Sequence, residues 1–176
     1  MKVGDLGSTT AGRLWINTVL LPRLASQMKE GDKILFVGNE TNWDYKSLFF
    51  NPSCLCDWTT MDIAERFNPD IVGDISNCPQ IPDNTYDLLI LIGIYEFVND
   101  KPAMFKEINR IIKPTGRAEL SLPGPAAYES SNNHIYPKDV FEAIKPLRVE
   151  ELYVTGERDG VPCSSVHIIA RKTDTH

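Results

Sequence analysis

The sequence has no long apolar run and no excess of positive charge, and each absence argues against a class of function. Its 176 residues include 18 lysines and arginines against 24 aspartates and glutamates, a formal net charge of −6. General nucleic-acid binding needs a basic surface that neutralises phosphates, so this charge argues against it. The longest apolar runs are only as long as a strand, which argues against a membrane span. The hydrophobic fraction, 42%, is typical of one globular domain with a single core.

Cysteines are also scarce. The first residues lack the basic-then-apolar pattern of a secretion signal. The four cysteines are Cys54, Cys56, Cys78 and Cys163. The first two form a C-x-C pair, but a zinc site would need Cys78 and either Cys163 or His134 to converge from afar. We therefore expect reduced, buried cysteines, no metal and a cytoplasmic location.

Short apolar runs alternate with helical patterns along most of the chain. The predicted strands cover residues 34–37, 55–61, 70–74, 86–93, 117–122, 147–155 and 161–171. The predicted helices cover residues 10–28, 43–50, 99–112 and 137–144, with a single helical turn at 63–67. The apolar face of the leading helix is predicted from Leu14, Trp15, Thr18, Leu21 and Leu24. Pro22 is expected to kink or break that helix.

This alternation predicts an α/β fold with a doubly wound, mostly parallel sheet of seven strands. The last two strands are expected to form an antiparallel hairpin at the edge of that sheet. Residues 1–9 are polar and are expected to form a flexible arm before a single domain at 10–176. Within that domain we expect a leading helix at 10–30, a cofactor-binding half at 33–122 and an acceptor-side loop, helix and hairpin at 123–171.

The segment at residues 33–42 predicts a ligand site, because a buried strand leads directly into a turn that contains Gly38. An acidic residue, Asp62, follows 20 residues after the end of that segment. In open α/β sheets, a turn after the first strand and a carboxylate after the second hold a nucleotide-like cofactor. Glycine allows close approach of the backbone to a ligand, and this turn contains few glycines.

Three further segments resemble one family. Residues 82–90 read PDNTYDLLI, residues 93–98 read GIYEFV and residues 105–117 read FKEINRIIKPTGR. With these segments the chain resembles a small class I S-adenosylmethionine-dependent methyltransferase, from about residue 33 to residue 171. The family pattern has a histidine where this chain has Phe97 and a glycine where it has Thr115.

The resemblance implies a Rossmann-like methyltransferase fold, S-adenosylmethionine as the cofactor and a set of binding residues. The residues implied for the cofactor are Gly38, Asn39, Glu40, Asp62, Ile63, Asp74, Ile75, Gly93 and Ile94. Of these, Asp62 corresponds to the residue that binds the ribose hydroxyls, and Asp74 to one near the adenine amino group. The chain departs from the family at Phe36, where an acid is usual, and at Glu40 and Asn42, where glycines are usual.

Acceptor-facing residues are expected at the carboxyl ends of the fourth and fifth strands, where ligands of open α/β sheets bind. The residues expected there are Tyr95, Glu96, Tyr128, His134 and Tyr136. His134 is a candidate general base because its unperturbed pKa lies near neutrality. Trp15 of the leading helix is expected to pack against the domain.

The function predicted by this resemblance is methyl transfer to a small-molecule or glycan-like acceptor. The acidic charge favours such an acceptor, and no Asn-Pro-Pro-Tyr-like segment for methylation of the amino groups of DNA bases follows the fourth strand. One alternative is a methyltransferase-like binding or regulatory module without turnover. Another is a different nucleotide-binding enzyme built on the same sheet, since a fold does not fix a function.

Overall fold

The computed structural model describes residues 14–38, 56–125, 133–158 and 161–173 of the chain. The seven strands are β1 (Lys33–Val37), β2 (Asp57–Asp62), β3 (Ile71–Val72), β4 (Tyr86–Ile92), β5 (Ile112–Pro123), β6 (Arg148–Arg158) and β7 (Val161–Arg171). The α-helices are α1 (Leu21–Gln27), α2 (Lys101–Ile111) and α3 (Val140–Ala143). The arm predicted at 1–9 and the helix predicted at 43–50 lie outside the described residues.

All seven strands form one sheet in the order β3-β2-β1-β4-β5-β7-β6. Strands β1 to β5 pair in parallel, and β7 is antiparallel to both of its neighbours, β5 and β6. The predicted fold class is therefore confirmed, including the terminal hairpin. None of the helices within the described residues is long and apolar enough to cross a membrane.

The buried face of the leading helical segment matches the predicted one only in part: Leu21 and Leu24 are buried as predicted. Leu14 and Thr18 are exposed, whereas Ile16 and Leu20 are buried. The reason is a π-helical turn at Ile16–Leu20, which widens the helix just before Pro22 in the first turn of α1. A π turn has more residues than an α turn, so it shifts the buried face by about one position.

Helix α2 and strand β5 follow each other without a loop. The helix begins where the Asp100 carboxylate accepts a hydrogen bond from the Ala103 backbone amide at 2.9 Å. The fifth strand was predicted from residue 117, but β5 begins at Ile112, which pairs with Tyr86 before the register shifts. Gly116 lies in that shift, and a Cβ there would be 2.8 Å from the Tyr86 carbonyl oxygen. A larger residue at position 116 would therefore push β4 and β5 apart.

The predicted short elements exist but are smaller than expected. Strand β3 has two residues, and the turn predicted at 63–67 is a 3₁₀ turn at Glu65–Phe67. The helix predicted at 137–144 consists of a 3₁₀ turn at Pro137–Asp139 and the four-residue α3.

Two apolar clusters cover the two faces of the sheet. The larger cluster joins one face to α2 and α3, and the smaller joins the other face to the leading helix. Both faces of the central strands are thus covered, as expected for parallel strands.

The cysteines are only partly as predicted. Cys78 is free and buried, and its backbone amide and thiol both donate to the Glu107 carboxylate at 3.1 Å. Burial is the main reason that the pKa of Cys78 is raised to about 12. The expectation of a reduced thiol is wrong for Cys56, which is disulfide-bonded.

Candidate active site

The carboxyl ends of β1 and β2 bring Gly38 and Asp62 together. Val37 pairs with Met61 at the last position of the β1–β2 ladder, so the two residues that follow them lie side by side. The Gly38 amide donates to the Met61 carbonyl oxygen at 2.8 Å, which fixes the first residue of the turn against β2. The pairing predicted from the sequence, a glycine turn beside a carboxylate, is therefore present at this edge.

Position 38 requires glycine for two independent reasons. Its φ is +94°, in the left-handed region that side chains disfavour. A Cβ there would also lie 2.4 Å from Cδ1 of Ile94, the residue after Gly93 at the end of β4. The turn after β1 and the turn after β4 thus pack against each other through the Ile94 side chain.

Asp62 is held in a defined orientation at the end of β2. Its Oδ1 accepts a hydrogen bond from the Ala64 amide at 2.8 Å, and its carbonyl oxygen accepts one from the Gly73 amide at 2.9 Å. The side chain that follows, Ile63, is 72% exposed. A fixed carboxylate next to an exposed aliphatic side chain fits the sugar and the base of a nucleoside.

Asp74 and Ile75 follow β3 at the same edge. The Asp74 carboxylate is exposed, and its Oδ1 accepts hydrogen bonds from the amide and the hydroxyl of Ser76, both at 2.8 Å. This Asx turn fixes the direction of the chain after β3. Ile75 is buried in the larger apolar cluster, so its side chain supports the turn from below.

The end of β4 presents backbone rather than side chain. Gly93 is exposed and has a φ of +66°, and a Cβ there would meet nothing within 4 Å. A ligand can therefore approach the backbone closely at this point. Gly93, Gly38 and Asp62 thus lie at the carboxyl ends of three neighbouring strands.

The three residues after Ile94 form a 3₁₀ turn and point in different directions. Tyr95, expected to face the acceptor, is buried against Phe105 with 6.2 Å between ring centroids. The Lys101 ammonium lies 4.8 Å from the centre of the Tyr95 ring, and burial raises the pKa of the Tyr95 hydroxyl. Glu96 is half-buried, whereas the Phe97 side chain is 74% exposed.

The segment after β5 reaches the same edge. The Ile135 amide donates to the Pro123 carbonyl oxygen at 2.9 Å, which returns the chain to the end of β5. The His134 and Tyr136 rings meet edge to face with 5.0 Å between centroids, and Lys138 Nζ lies 5.7 Å from the Tyr136 ring. The candidate residues Asn39, Glu40 and Tyr128 lie outside the described residues.

Two residues of this edge were missed by the sequence reasoning as candidates for the site. Phe97 was noted only as a departure from the family's histidine, and that departure was the signal that could have found it. Asn133 carried no signal, because its role depends on a long-range contact: its Nδ2 donates to the Glu96 carbonyl oxygen at 2.9 Å.

Comparison with known proteins agrees with this geometry. A family model described as a methyltransferase domain matches residues 54–120. No curated protein matches the chain in sequence.

Several solved structures share the fold. A SAM-dependent methyltransferase from Aquifex aeolicus is 14% identical, with a TM-score of 0.70, and the match covers 90% of this chain and 93% of that one. A TehB-like SAM-dependent methyltransferase from Corynebacterium glutamicum is 18% identical over 87% of this chain and 86% of its own, with a TM-score of 0.62.

A third structure, the 1,6-didemethyltoxoflavin-N1-methyltransferase from Burkholderia thailandensis, is 13% identical. The match has a TM-score of 0.65 and covers 97% of this chain and 82% of that one, which holds 1,6-didemethyltoxoflavin and S-adenosylhomocysteine. A model of the methyltransferase domain matches part of the chain, and the sheet order and the solved structures show that the chain has the fold of SAM-dependent methyltransferases.

Proposed function

We propose that the chain transfers a methyl group from S-adenosylmethionine to a small-molecule or glycan-like acceptor. The observation that carries this proposal is the meeting of Gly38, Asp62 and Gly93 at the carboxyl edge of three adjacent strands. The negative net charge favours a small acceptor over a nucleic acid. The heterocycle bound in the Burkholderia thailandensis structure is an example of a small ligand on this fold.

The cofactor residues divide into three groups by position. Asp62 would accept hydrogen bonds from the ribose hydroxyls, and the exposed Ile63 would cover one face of the adenine. Asp74 and Ile75 border the adenine after β3. Gly38, Gly93 and Ile94 would supply the surface for the methionine part, and Asn39 and Glu40 are proposed as further contacts of the cofactor.

Methyl transfer requires mainly that the acceptor atom and the methyl carbon be aligned. When bound, the cofactor supplies a methyl carbon that is already activated by the sulfonium charge, so the residues of the chain contribute by positioning and by excluding water. His134 is the residue that takes the proton of an oxygen acceptor, because a neutral imidazole nitrogen can accept a proton. Glu96 and Tyr136 border the acceptor on the two sides of His134.

Calorimetric titration with S-adenosylhomocysteine tests the cofactor site. We expect wild-type protein to bind it and Asp62→Ala to lose binding, because the ribose then loses its carboxylate partner. Asp57→Ala is the matched control, since Asp57 is the exposed first residue of the same strand, at its other end. If Asp62→Ala bound as tightly as wild type, the proposed pocket would be wrong.

One observation favours the alternative, a binding module without turnover. Phe36 occupies the position of the family's acid, and its side chain is buried in the cluster beneath the leading helix. The turn therefore lacks a carboxylate from β1. Binding of S-adenosylhomocysteine without any methyl transfer across a broad set of acceptors would favour this alternative.

A further inference from the structure

Two exposed aromatic side chains at the carboxyl edge are not used by the cofactor site. Phe97 follows β4 and is 74% exposed, and Tyr136 follows β5 and is 46% exposed. Strands β4 and β5 are neighbours and run parallel, so the segments after them emerge side by side. The Ile135 amide donates to the Pro123 carbonyl oxygen at 2.9 Å, so the segment that carries Tyr136 lies at the end of β5, beside the turn that carries Phe97.

Hydrogen bonds fix these two segments to each other. Asn133 Nδ2 donates to the Glu96 carbonyl oxygen at 2.9 Å. Glu96 is the residue before Phe97, and Asn133 lies three residues before Tyr136. Lys101 Nζ donates to the Val98 carbonyl oxygen at 3.0 Å and reaches Asn133 Oδ1 at 3.4 Å. The relative position of the two aromatic residues is thus set by the protein before any ligand arrives.

Some of the polar groups of this edge are engaged within the protein. Both ends of the Asn133 amide are engaged, and the Lys101 ammonium is shared among a carbonyl, that amide and the Tyr95 ring. The exposed rings of Phe97 and Tyr136 lie there beside the polar side chains of Glu96 and His134. A polyhydroxylated sugar needs several hydrogen-bond partners, whereas an aromatic ring gains from offset or edge-on contact with other rings.

We propose that the acceptor carries a planar aromatic ring that packs against Phe97 and Tyr136. The proposal rests on the proposed methyl transfer and narrows its acceptor to phenols, anilines and related heterocycles. Asn133 is a positioning residue, because it holds the Tyr136 segment against the Phe97 turn. The rings select the acceptor by its shape and apolar surface, and place its nucleophilic atom towards Gly93.

Titration with a matched pair of probes tests this preference. Phenol and cyclohexanol have similar size and one hydroxyl each, and methyl glucoside represents a sugar. With the protein saturated in S-adenosylhomocysteine, we expect phenol to bind about 5 to 10 times more tightly than either of the others. NMR signals of the Phe97 and Tyr136 rings should shift with phenol.

Variants locate the effect. Phe97→Ala should lower phenol affinity about fivefold and leave the affinity for S-adenosylhomocysteine unchanged. Asn133→Ala should lower phenol affinity in the same way, because the segment is released. Phe141→Ala is the matched control, since that phenylalanine is 59% exposed but lies on α3, beyond the segment, and should change nothing.

Two outcomes would overturn the proposal: equal binding of phenol and cyclohexanol, or unchanged phenol affinity in Phe97→Ala. Preferential binding of methyl glucoside would instead favour a sugar acceptor. Titrations of phenol, cyclohexanol and methyl glucoside without S-adenosylhomocysteine measure the preference for an aromatic ring independently of the cofactor. Failure of the wild-type protein to bind S-adenosylhomocysteine would overturn the proposed function but leave that preference measurable.

Discussion

The two faces of the sheet around β5 differ sharply in chemistry. Toward α2 and α3, β5 and β7 present aliphatic side chains in the part of the chain whose burial is described: Ala118, Leu120, Leu122, Val166, Ile168 and Ala170. Toward the leading helix, the same two strands bury Glu119, Ser121 and His167 among apolar neighbours. One face is thus an ordinary apolar core, and the other is a core that contains ionisable groups.

Glu119 is the most unusual residue of the second face. Its side chain is 1% exposed, and Arg117 Nε lies 3.3 Å from its Oε1 in a direction unsuited to a hydrogen bond. Within the described ranges, neither carboxylate oxygen has a hydrogen-bond partner. Burial raises the pKa of Glu119 to about 7, despite the opposing effects of Arg117, Arg23 and Arg171, while Glu151 raises it further.

His167 lies one strand away on the same face. It pairs with Ser121 in the β5–β7 ladder, and its Nε2 is 2.9 Å from the Thr155 hydroxyl. The Trp15 ring stacks on it with 4.3 Å between centroids, so the expectation that Trp15 packs against the domain is confirmed. Burial lowers the pKa of His167 to about 4.

The leading helix is also attached to this face by a surface ion pair. Arg23 Nη1 donates to Glu151 Oε2 at 2.7 Å and to the Tyr153 hydroxyl at 3.1 Å. The Tyr153 hydroxyl in turn donates to Glu151. The comparison teaches that the aliphatic face supplies stability at any pH, whereas the contribution of the leading-helix face depends on protonation.

The largest expected effect is on the aliphatic face. Leu120→Ala should lower the free energy of unfolding by about 3 kcal/mol, because it removes buried methyl groups and leaves a cavity. Urea denaturation at pH 8 measures this loss. Glu119→Ala, the adjacent truncation on the other face, should cost less, because it also removes a buried charge; equal losses would abolish the contrast.

Replacing the buried carboxylate should have the opposite sign. At pH 8, Glu119→Leu should raise the free energy of unfolding by about 2 kcal/mol, because an apolar side chain of similar volume replaces a poorly paired buried ion. The increase should shrink at pH 5, where the wild-type carboxyl is protonated. A destabilised variant at pH 8 would show that Glu119 contributes a favourable ion pair.

The pH dependence of stability separates Glu119 from His167. The folded-state pKa of Glu119 lies above its unfolded value of about 4.3, so its contribution makes stability fall as pH rises from there to about 7. The folded-state pKa of His167 lies below its unfolded value of about 6.5, so its contribution makes stability rise between pH 4 and that value. The two slopes oppose each other, and wild type should lose only about 1 kcal/mol, mostly above pH 6.5.

Single variants should expose each slope in urea denaturation at several pH values. Glu119→Gln should leave a stability that rises towards pH 6.5 and is then flat. His167→Phe should leave a stability that falls up to pH 7. Unchanged profiles in both variants would contradict the assigned protonation states.

The smallest expected effect is at the surface. Arg23→Met should lower the free energy of unfolding by about 0.5 kcal/mol, because the Arg23–Glu151 pair is partly exposed and screened by water. Melting temperatures at low and high salt measure it, and the difference between variant and wild type should shrink at high salt. A loss as large as that of Leu120→Ala would mean that the ion pair holds the helix in place.

The strands were predictable because their signals are local. The apolar run at Tyr86–Ile92 has too few polar residues for anything but a central strand, and it is the middle of the sheet. The π turn at Ile16–Leu20 was not predictable, because the α-helical period assumed for Leu14 and Thr18 fails at such a turn. The start of β5 at Ile112 depends on pairing with Tyr86, which no local pattern reveals.

The site shows the same division. The neighbourhood of Gly38 and Asp62 follows from strand order, so spacing along the sequence was enough to predict it. Tyr95 and Phe97 could not be separated by sequence, because a 3₁₀ turn buries one ring and exposes the other. The binding roles assigned to these residues stay predictions, as does the division of the chain into an arm and one domain.

The contacts of the leading helix have a consequence for how the chain matures on the ribosome. Trp15 and Arg23 are synthesised well before the partners that hold them, His167 and Glu151. Until then, part of the apolar side of the helix has no cover, although β1 and β4 already offer some. The nascent protein therefore needs the β6–β7 hairpin to cover this side of the helix. Truncation before β7 would leave an apolar surface that is prone to aggregation.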